Sequence, residues 1–249
     1  MSANNGENLV TFTTTPSAAT VTLNSPQNRN ALSSEMMAQL AQCLDEASHS
    51  MSRVIILTHS GPAFCSGLNL KDTERVDLSA LTRLILAIRA APQPTIAVLT
   101  GPARAGGLGL MAACDLVIAA PNISFAFTEV KIGAVPALIS APVFERVSPK
   151  DVFAEFLTGD EFSASRALQI GLITHINDDP LSTAHAFASA MAKVGPIALR
   201  ETTKLLRHTS EEQFAKHLLK MQQLSERIFA GEEAQEGMAA FREKRSPRW

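Results

Sequence analysis

Residues 102–115 read PARAGGLGLMAACD, and the reading of this stretch decides the fold. Gly106 and Gly107 are adjacent, Gly109 follows two positions on, and the rest is an apolar, helix-like run ending in Cys114 and Asp115. A glycine inside a helix costs about 1 kcal/mol against alanine, so three of them at one helix start ask for a reason. One reason is chemical: a helix start presents free N–H groups and a positive dipole end, and glycine lets a ligand oxygen approach them. The other is packing, since glycine equally permits close contact between a helix and a strand.

The flanking sequence supplies the frame. PTIAVLTG (94–101), just before the glycines, and RVIILTH (53–59) are continuous apolar, β-branched runs that predict buried strands. LVTFTTT (9–15) and AATVTLN (18–24) alternate around Pro16 and Ser17, which predicts an antiparallel pair. SSEMMAQLAQCLDEAS (33–48) has helical spacing with Ser33 or Ser34 as its cap, and ALTRLILAIRA (80–90) is an amphipathic helix. DLVIAA (115–120) and SFAF (124–127) read as further strands. Strands and helices alternating at this spacing imply an α/β core with parallel pairing and crossovers. Beyond about residue 138 the pattern becomes helical. Two helices are broken at TGDEFS (158–163), and others span 181–195, 196–208, 210–230 and 232–245. The chain thus divides into a core over 1–180 and a helical region over 181–249.

Composition narrows the function. The formal net charge of −2 exerts no global pull toward nucleic acid, although local basic clusters can still hold a phosphorylated ligand. Hydrophobic residues make up 46% of the chain and charged ones 18%, slightly oily for a monomer, which hints at surface buried between subunits. Cys43, Cys65 and Cys114 are scattered, without metal-ligand spacing, and read as reduced thiols; no metal site is expected. The start, MSANNGENLV, has no basic segment leading into an apolar one, and no apolar run approaches the ~18 residues of a membrane span. The expectation is a cytoplasmic protein without a membrane or nucleic-acid partner.

Three stretches can carry chemistry. PAFCSGLNL (62–70) follows one predicted strand and turns through Gly67, so its backbone N–H groups are open to a ligand or simply form a tight loop. ARAGGLGL (103–110) follows another strand. Two such loops after parallel strands can converge two N–H donors on one carbonyl oxygen, an oxyanion hole, and this points to an acyl substrate. In SFAFTEVKIGAVPALI (124–139), Glu129 stands among apolar neighbours that raise a carboxyl pKa and suit it to proton transfer; a surface or capping acid is the alternative. The six histidines have no serine or cysteine motif near them, and Cys65 reads as packing. The glycine run is neither GxGxxG nor followed by GKS/T, so nucleotide readings are poor.

These residues, with LNSPQNRNALS (23–33), AFCSGLNLKD (63–72), LTGDEFSASRALQIGLI (157–173) and EGMAAFREKRSPRW (236–249), resemble the crotonase, or enoyl-CoA hydratase/isomerase, superfamily in the right order. The resemblance implies a crotonase-like spiral of ββα repeats with a C-terminal helical trimerisation region, assembled as a homotrimer or dimer of trimers. It implies an acyl-CoA substrate whose coenzyme A is the only cofactor-like group. Its thioester oxygen would be held by the N–H groups of Leu68 and Gly106, with Ser66, Gly67, Asn69, Gly107 and Gly109 around the substrate. Asn30 and Ala31 would neighbour the adenine; Arg29, Lys244 or Arg245 would pair with a phosphate or else stay solvated. Glu129 matches the later of two glutamates that hydratases of the family resemble one another in carrying. The earlier aligns with Gly109, which can exchange no proton. Adding water divides naturally between two acids, whereas shifting a double bond needs one. The implied enzyme is a single-glutamate hydratase/isomerase; a non-catalytic acyl-CoA binder and a thioester or ring hydrolase are the alternatives. Ala105 and Ala137 stand where the family has glycine, and Arg104 would either meet an acyl carboxylate or lie in solvent.

Overall fold

The computed structural model describes residues 8–70 and 78–249. Lys71 and Asp72 of the AFCSGLNLKD motif and the first seven residues lie outside them. Strands β1 (Val10–Thr14) and β2 (Ala18–Leu23) form the expected antiparallel hairpin. Helix α1 (Ser34–His49) follows, and Ser33 rather than Ser34 caps it by accepting the Met36 N–H at 3.1 Å. Then come β3 (Val54–His59), α2 (Leu78–Ala90) and β4 (Thr95–Leu99). Every residue of β3 and β4 is buried, as expected of parallel strands covered on both faces.

The stretch from 102 to 115 divides into a two-residue strand β5 (Ala103–Arg104) and an eight-residue helix α3 (Gly106–Ala113) that is buried all round. Strands β6 (Leu116–Ala119) and β7 (Ser124–Ala126) lead to a 3-10 turn over Thr128–Ile132 and helix α4 (Ala137–Phe144). Helix α5 (Phe153–Thr158), strand β8 (Phe162–Ser163), helix α6 (Ala164–Gln169) and strand β9 (His175–Ile176) complete the core. The TGDEFS break therefore holds a short strand, and β5, β8 and β9 are too short to leave a periodic signal.

The described strands make a six-stranded sheet, β1-β2-β3-β4-β6-β9, parallel from β2 onward, and a three-stranded sheet, β5-β7-β8. Helices α7 (Pro180–Met191), α8 (Pro196–Leu206), α9 (Glu211–Phe229) and α10 (Glu232–Glu243) follow. Ala184 and Ala188 of α7 pack on Ile56, Ile96, Val98 and Ile118, so the first helix past residue 180 covers one face of the large sheet. Helix α9 packs against α2 and α4 on the other side, and α10 against the 128–132 turn.

One partly buried ion pair ties the helical end to the core. Arg207, just past α8, meets both Asp115 carboxylate oxygens at 2.7 Å and donates to the carbonyls of Arg89 (2.6 Å) and Ala91 (2.8 Å). Asp115 also accepts from the Thr95 N–H and hydroxyl, at 2.8 and 2.9 Å, where β4 begins. The Arg207 side chain is only 7% exposed, so its removal takes the charge partner from a partly buried carboxylate and leaves two carbonyls without their donor. Arg207→Ala is expected to cost about 1–3 kcal/mol, read as a lower midpoint in urea denaturation.

Candidate active site

At the carboxyl ends of β2, β3 and β4 the chain leaves the large sheet as loops that lie side by side, held by their own backbones. The Ser66 N–H donates to Arg29 O (3.1 Å), Leu32 N–H to Gly67 O (2.8 Å) and Asn69 N–H to Leu32 O (3.1 Å). Next, Phe64 N–H donates to Pro102 O (3.0 Å), Arg104 N–H to Cys65 O (2.9 Å) and Ala105 N–H to Ala126 O (3.2 Å). This places residues 29–32, 64–69, 102–106 and 125–129 in one row.

The row walls a cavity of about 700 Å³, closed on the far side by α4, the end of α9 and α10. Arg29, Ala31, Ser66, Leu68, Asn69, Gly106 and Glu129 line it, as the sequence suggests. The N–H groups of Leu68 and Gly106 donate to no group among the described residues, and a Cβ on Gly67 would stand 3.7 Å from Gly106 N. The two N–H bearing segments therefore touch.

Other expected residues act from behind. Asn30 is buried; its amide donates to Ser60 O (3.0 Å) and Ala63 O (2.8 Å) and accepts the Ser25 N–H (2.7 Å), which makes it a loop clamp. Gly67, Gly107 and Gly109 are not among the residues lining the cavity. A Cβ on Gly107 would meet Cys65 Cβ at 2.7 Å and its carbonyl at 2.9 Å. One on Gly109 would meet Ile139 Cγ2 at 2.8 Å and Ile85 Cδ1 at 3.4 Å. So Gly106 opens backbone to the cavity, while Gly107 and Gly109 serve close packing. Lys244, in left-handed conformation at the end of α10, is exposed and does not line the cavity.

Glu129 sits in the 3-10 turn after β7. Among the described residues it is the only carboxylate lining the cavity, and it is 8% exposed. Burial pushes its pKa up to about 7, against the pull of its own backbone N–H, and its Oε2 has no hydrogen-bond partner among the described residues. Four cations also line the cavity, three of them engaged elsewhere: Arg104 with Glu161 (2.8 Å), Lys131 with Asp160 (3.0 Å) and Arg245 with Glu236 (2.5 Å). Arg104 additionally donates to Ser124 O and Oγ, so it is neither solvated nor unengaged. No group of three or more potential metal ligands occurs among the described residues, and none of their helices is long and apolar enough to cross a membrane.

Several lining residues come from the far end of the chain: Ser225, whose hydroxyl accepts the Leu138 N–H at 3.0 Å, Phe229, Gly237 and Phe241. A Cβ on Gly237 would run into the Ile132 carbonyl, so this glycine seats α10 on the Glu129 turn. Its position inside an otherwise good helix was the only local signal available.

With this geometry in view, the likenesses to known proteins are informative. The pattern of the Enoyl-CoA hydratase/isomerase family matches residues 13–249. A Thermus thermophilus protein named "Putative enoyl-CoA hydratase" is 38% identical over 93% of this chain and 96% of its own. The mevalonyl-coenzyme A hydratase sidH of Aspergillus fumigatus is 32% identical over 97% and 94%. The crystal structure of an enoyl-CoA hydratase from Mycobacterium avium superposes with a TM-score of 0.88 at 37% identity, covering 98% of this chain and all of that one. The fold is that of the crotonase proteins. The chain belongs to the enoyl-CoA hydratase/isomerase family.

Ala105 precedes α3 with φ 45° and ψ −122°, a region where a Cβ is strained. Ala105→Gly is expected to gain about 1 kcal/mol, strain relief exceeding the added chain entropy. Gly109→Ala should lose about 1–3 kcal/mol by overpacking Ile139. Thermal or urea unfolding of the two variants checks both signs.

Proposed function

We propose that this family member moves the double bond of a 3-enoyl-CoA thioester into conjugation, using Glu129 as its one proton carrier. The Glu129 carboxylate takes a proton from C2. The C–H pair moves into a dienolate whose negative oxygen is held by the N–H groups of Leu68 and Gly106. The proton then returns from Glu129 to C4, leaving the 2-enoyl thioester with no atom gained or lost. The reaction draws on no cofactor beyond the coenzyme A of the substrate.

One observation carries the reading: Glu129 is the only described carboxylate in the cavity, and the side of α3 at Gly109 is filled by Ile139 and Ile85. Hydration would need a second acid to share the work on water. An apolar wall at that point supplies none. A pKa of about 7 suits a group that must both accept and return a proton near neutrality. Association of subunits, expected as a homotrimer or a dimer of trimers, fits the exposed Phe153, Leu157, Leu205 and Leu206, and light scattering tests the number of copies.

The deciding experiment is the mass and ultraviolet spectrum of product from matched 2-enoyl and 3-enoyl thioesters. Unchanged mass with new conjugation supports isomerisation. A gain of one water, release of free coenzyme A, or tight binding without turnover would replace it with hydration, hydrolysis or a carrier role. For isomerisation, kcat/KM is expected to rise with pH and level off above about 7, as Glu129 becomes the carboxylate.

The same group opposes stability. Between its unfolded pKa near 4.5 and its folded pKa of about 7, the folded protein keeps a proton that the unfolded chain has lost, so stability falls as pH rises through that window. Glu129→Gln is expected to abolish turnover and yet be more stable at pH 8, by up to about 3 kcal/mol. Equal stability of the two proteins at pH 8 and pH 5 would contradict this.

A further inference from the structure

The two N–H groups assigned to the thioester oxygen come from loops that leave β3 and β4, and these strands part before they end. On its β2 side β3 is paired over all six residues, from Val54 to His59. On its β4 side the register runs only from Ile55 to Leu57. Past Leu57, side chains take over. The Thr58 hydroxyl donates to Val98 O at 3.3 Å. His59 Nε2 lies 3.1 Å from the Thr100 N–H and 3.1 Å from the Thr100 hydroxyl.

A backbone N–H can only donate, so Nε2 must be the acceptor and the proton of the neutral ring sits on Nδ1. Nδ1 faces Ser60 O at 3.4 Å, one of the carbonyls that Asn30 also holds. The ring meets Phe64 edge to face at 5.7 Å between centroids. Burial lowers the pKa of this histidine, consistent with an acceptor that stays unprotonated. His59 and Thr100 are the residues from which the two loops depart, toward Leu68 on one side and Gly106 on the other. Beyond them the loops meet again through Pro62 and Ala63 against Gly101 and through the Cys65–Ala103 bridge.

We infer that His59 is a positioning residue: its Nε2 replaces the missing rung between β3 and β4 and so sets the spacing of the Leu68 and Gly106 N–H groups. The inference rests on the reading of those two groups as the oxyanion donors. It gives work to a histidine that is not among the residues lining the cavity and matches no catalytic motif.

The test uses vibrational difference spectra of a saturated acyl-CoA, labelled with carbon-13 at the thioester carbonyl, bound to the full-length protein. Bound to the unaltered protein, the carbonyl stretch should fall to lower frequency than in water, the signature of two donors. If it does not, the oxyanion reading itself fails, whatever His59 does. With that shift established, His59→Phe, which keeps a ring but no acceptor, should lose most of it. The same variant should lower kcat by about a hundredfold, as expected of misplaced groups, with KM held within about threefold. His59→Gln, whose amide oxygen can accept the Thr100 N–H, should restore most of both. A full carbonyl shift and full kcat in His59→Phe would overturn the inference, as would a folded His59→Gln no better than His59→Phe. Should His59→Phe not fold, His59→Gln decides alone: a retained shift supports the rung, and a lost shift in folded protein overturns it.

Discussion

The Cys65 carbonyl accepting the Arg104 N–H at 2.9 Å is the contact on which the site depends. It joins the loop after β3 to the short strand β5 and brings their backbones within touching distance. Backbone groups must find partners when buried, and here many find them in each other, while the N–H groups of Leu68 and Gly106 at the cavity donate to no group among the described residues. That arrangement permits no side chain between the segments. Gly107 meets the Cys65 carbonyl where any Cβ would collide, and Gly67 lies against Ala105 with φ 91°. The glycines that seemed costly in a helix are the condition for this proximity.

Charge is distributed around the cavity with comparable economy. Arg104, Lys131 and Arg245 line the same cavity as Glu129, but each is paired with an acid of its own, Glu161, Asp160 or Glu236. No cation is a cause of the shift at Glu129; burial is the first and largest. The carboxyl is thus raised by exclusion of water rather than lowered by a counter-ion. Three ion pairs, of modest worth to stability themselves because their acids are exposed or near the surface, matter more for where they keep positive charge away from.

Much of this was legible in the sequence, and the exceptions have physical causes. β1 to β4, α1, α2, α7, α9 and α10 follow from periodicity, because each buries residues against a neighbour; α8 has the helical spacing too, although Ile197, Leu205 and Leu206 on it are exposed. Leu68, Gly106 and Glu129 were legible through motif order, and the structure brings all three to one cavity. Asn30 was legible only as a neighbour of ligand; that its amide clamps Ser60 and Ala63 needed coordinates. Ser225 and Phe229 lie some hundred residues from Glu129, and nothing local marks them as cavity walls. His59 looked like any strand-end histidine, because the parting of β3 from β4 is a property of a pair of strands and leaves no mark on either alone.

The apolar wall at Gly109 bears on how such a protein can change. A chain in which Ile139 Cγ2 already stands 2.8 Å from where a Cβ would start cannot acquire a second acid there by one substitution. The larger side chain would arrive before there is room for it, and trimming Ile139 first would open a void beside a working site. On the proposed single-glutamate reading, a second acid at position 109 would therefore have to arrive together with a change at Ile139, a coupling set by one methyl contact.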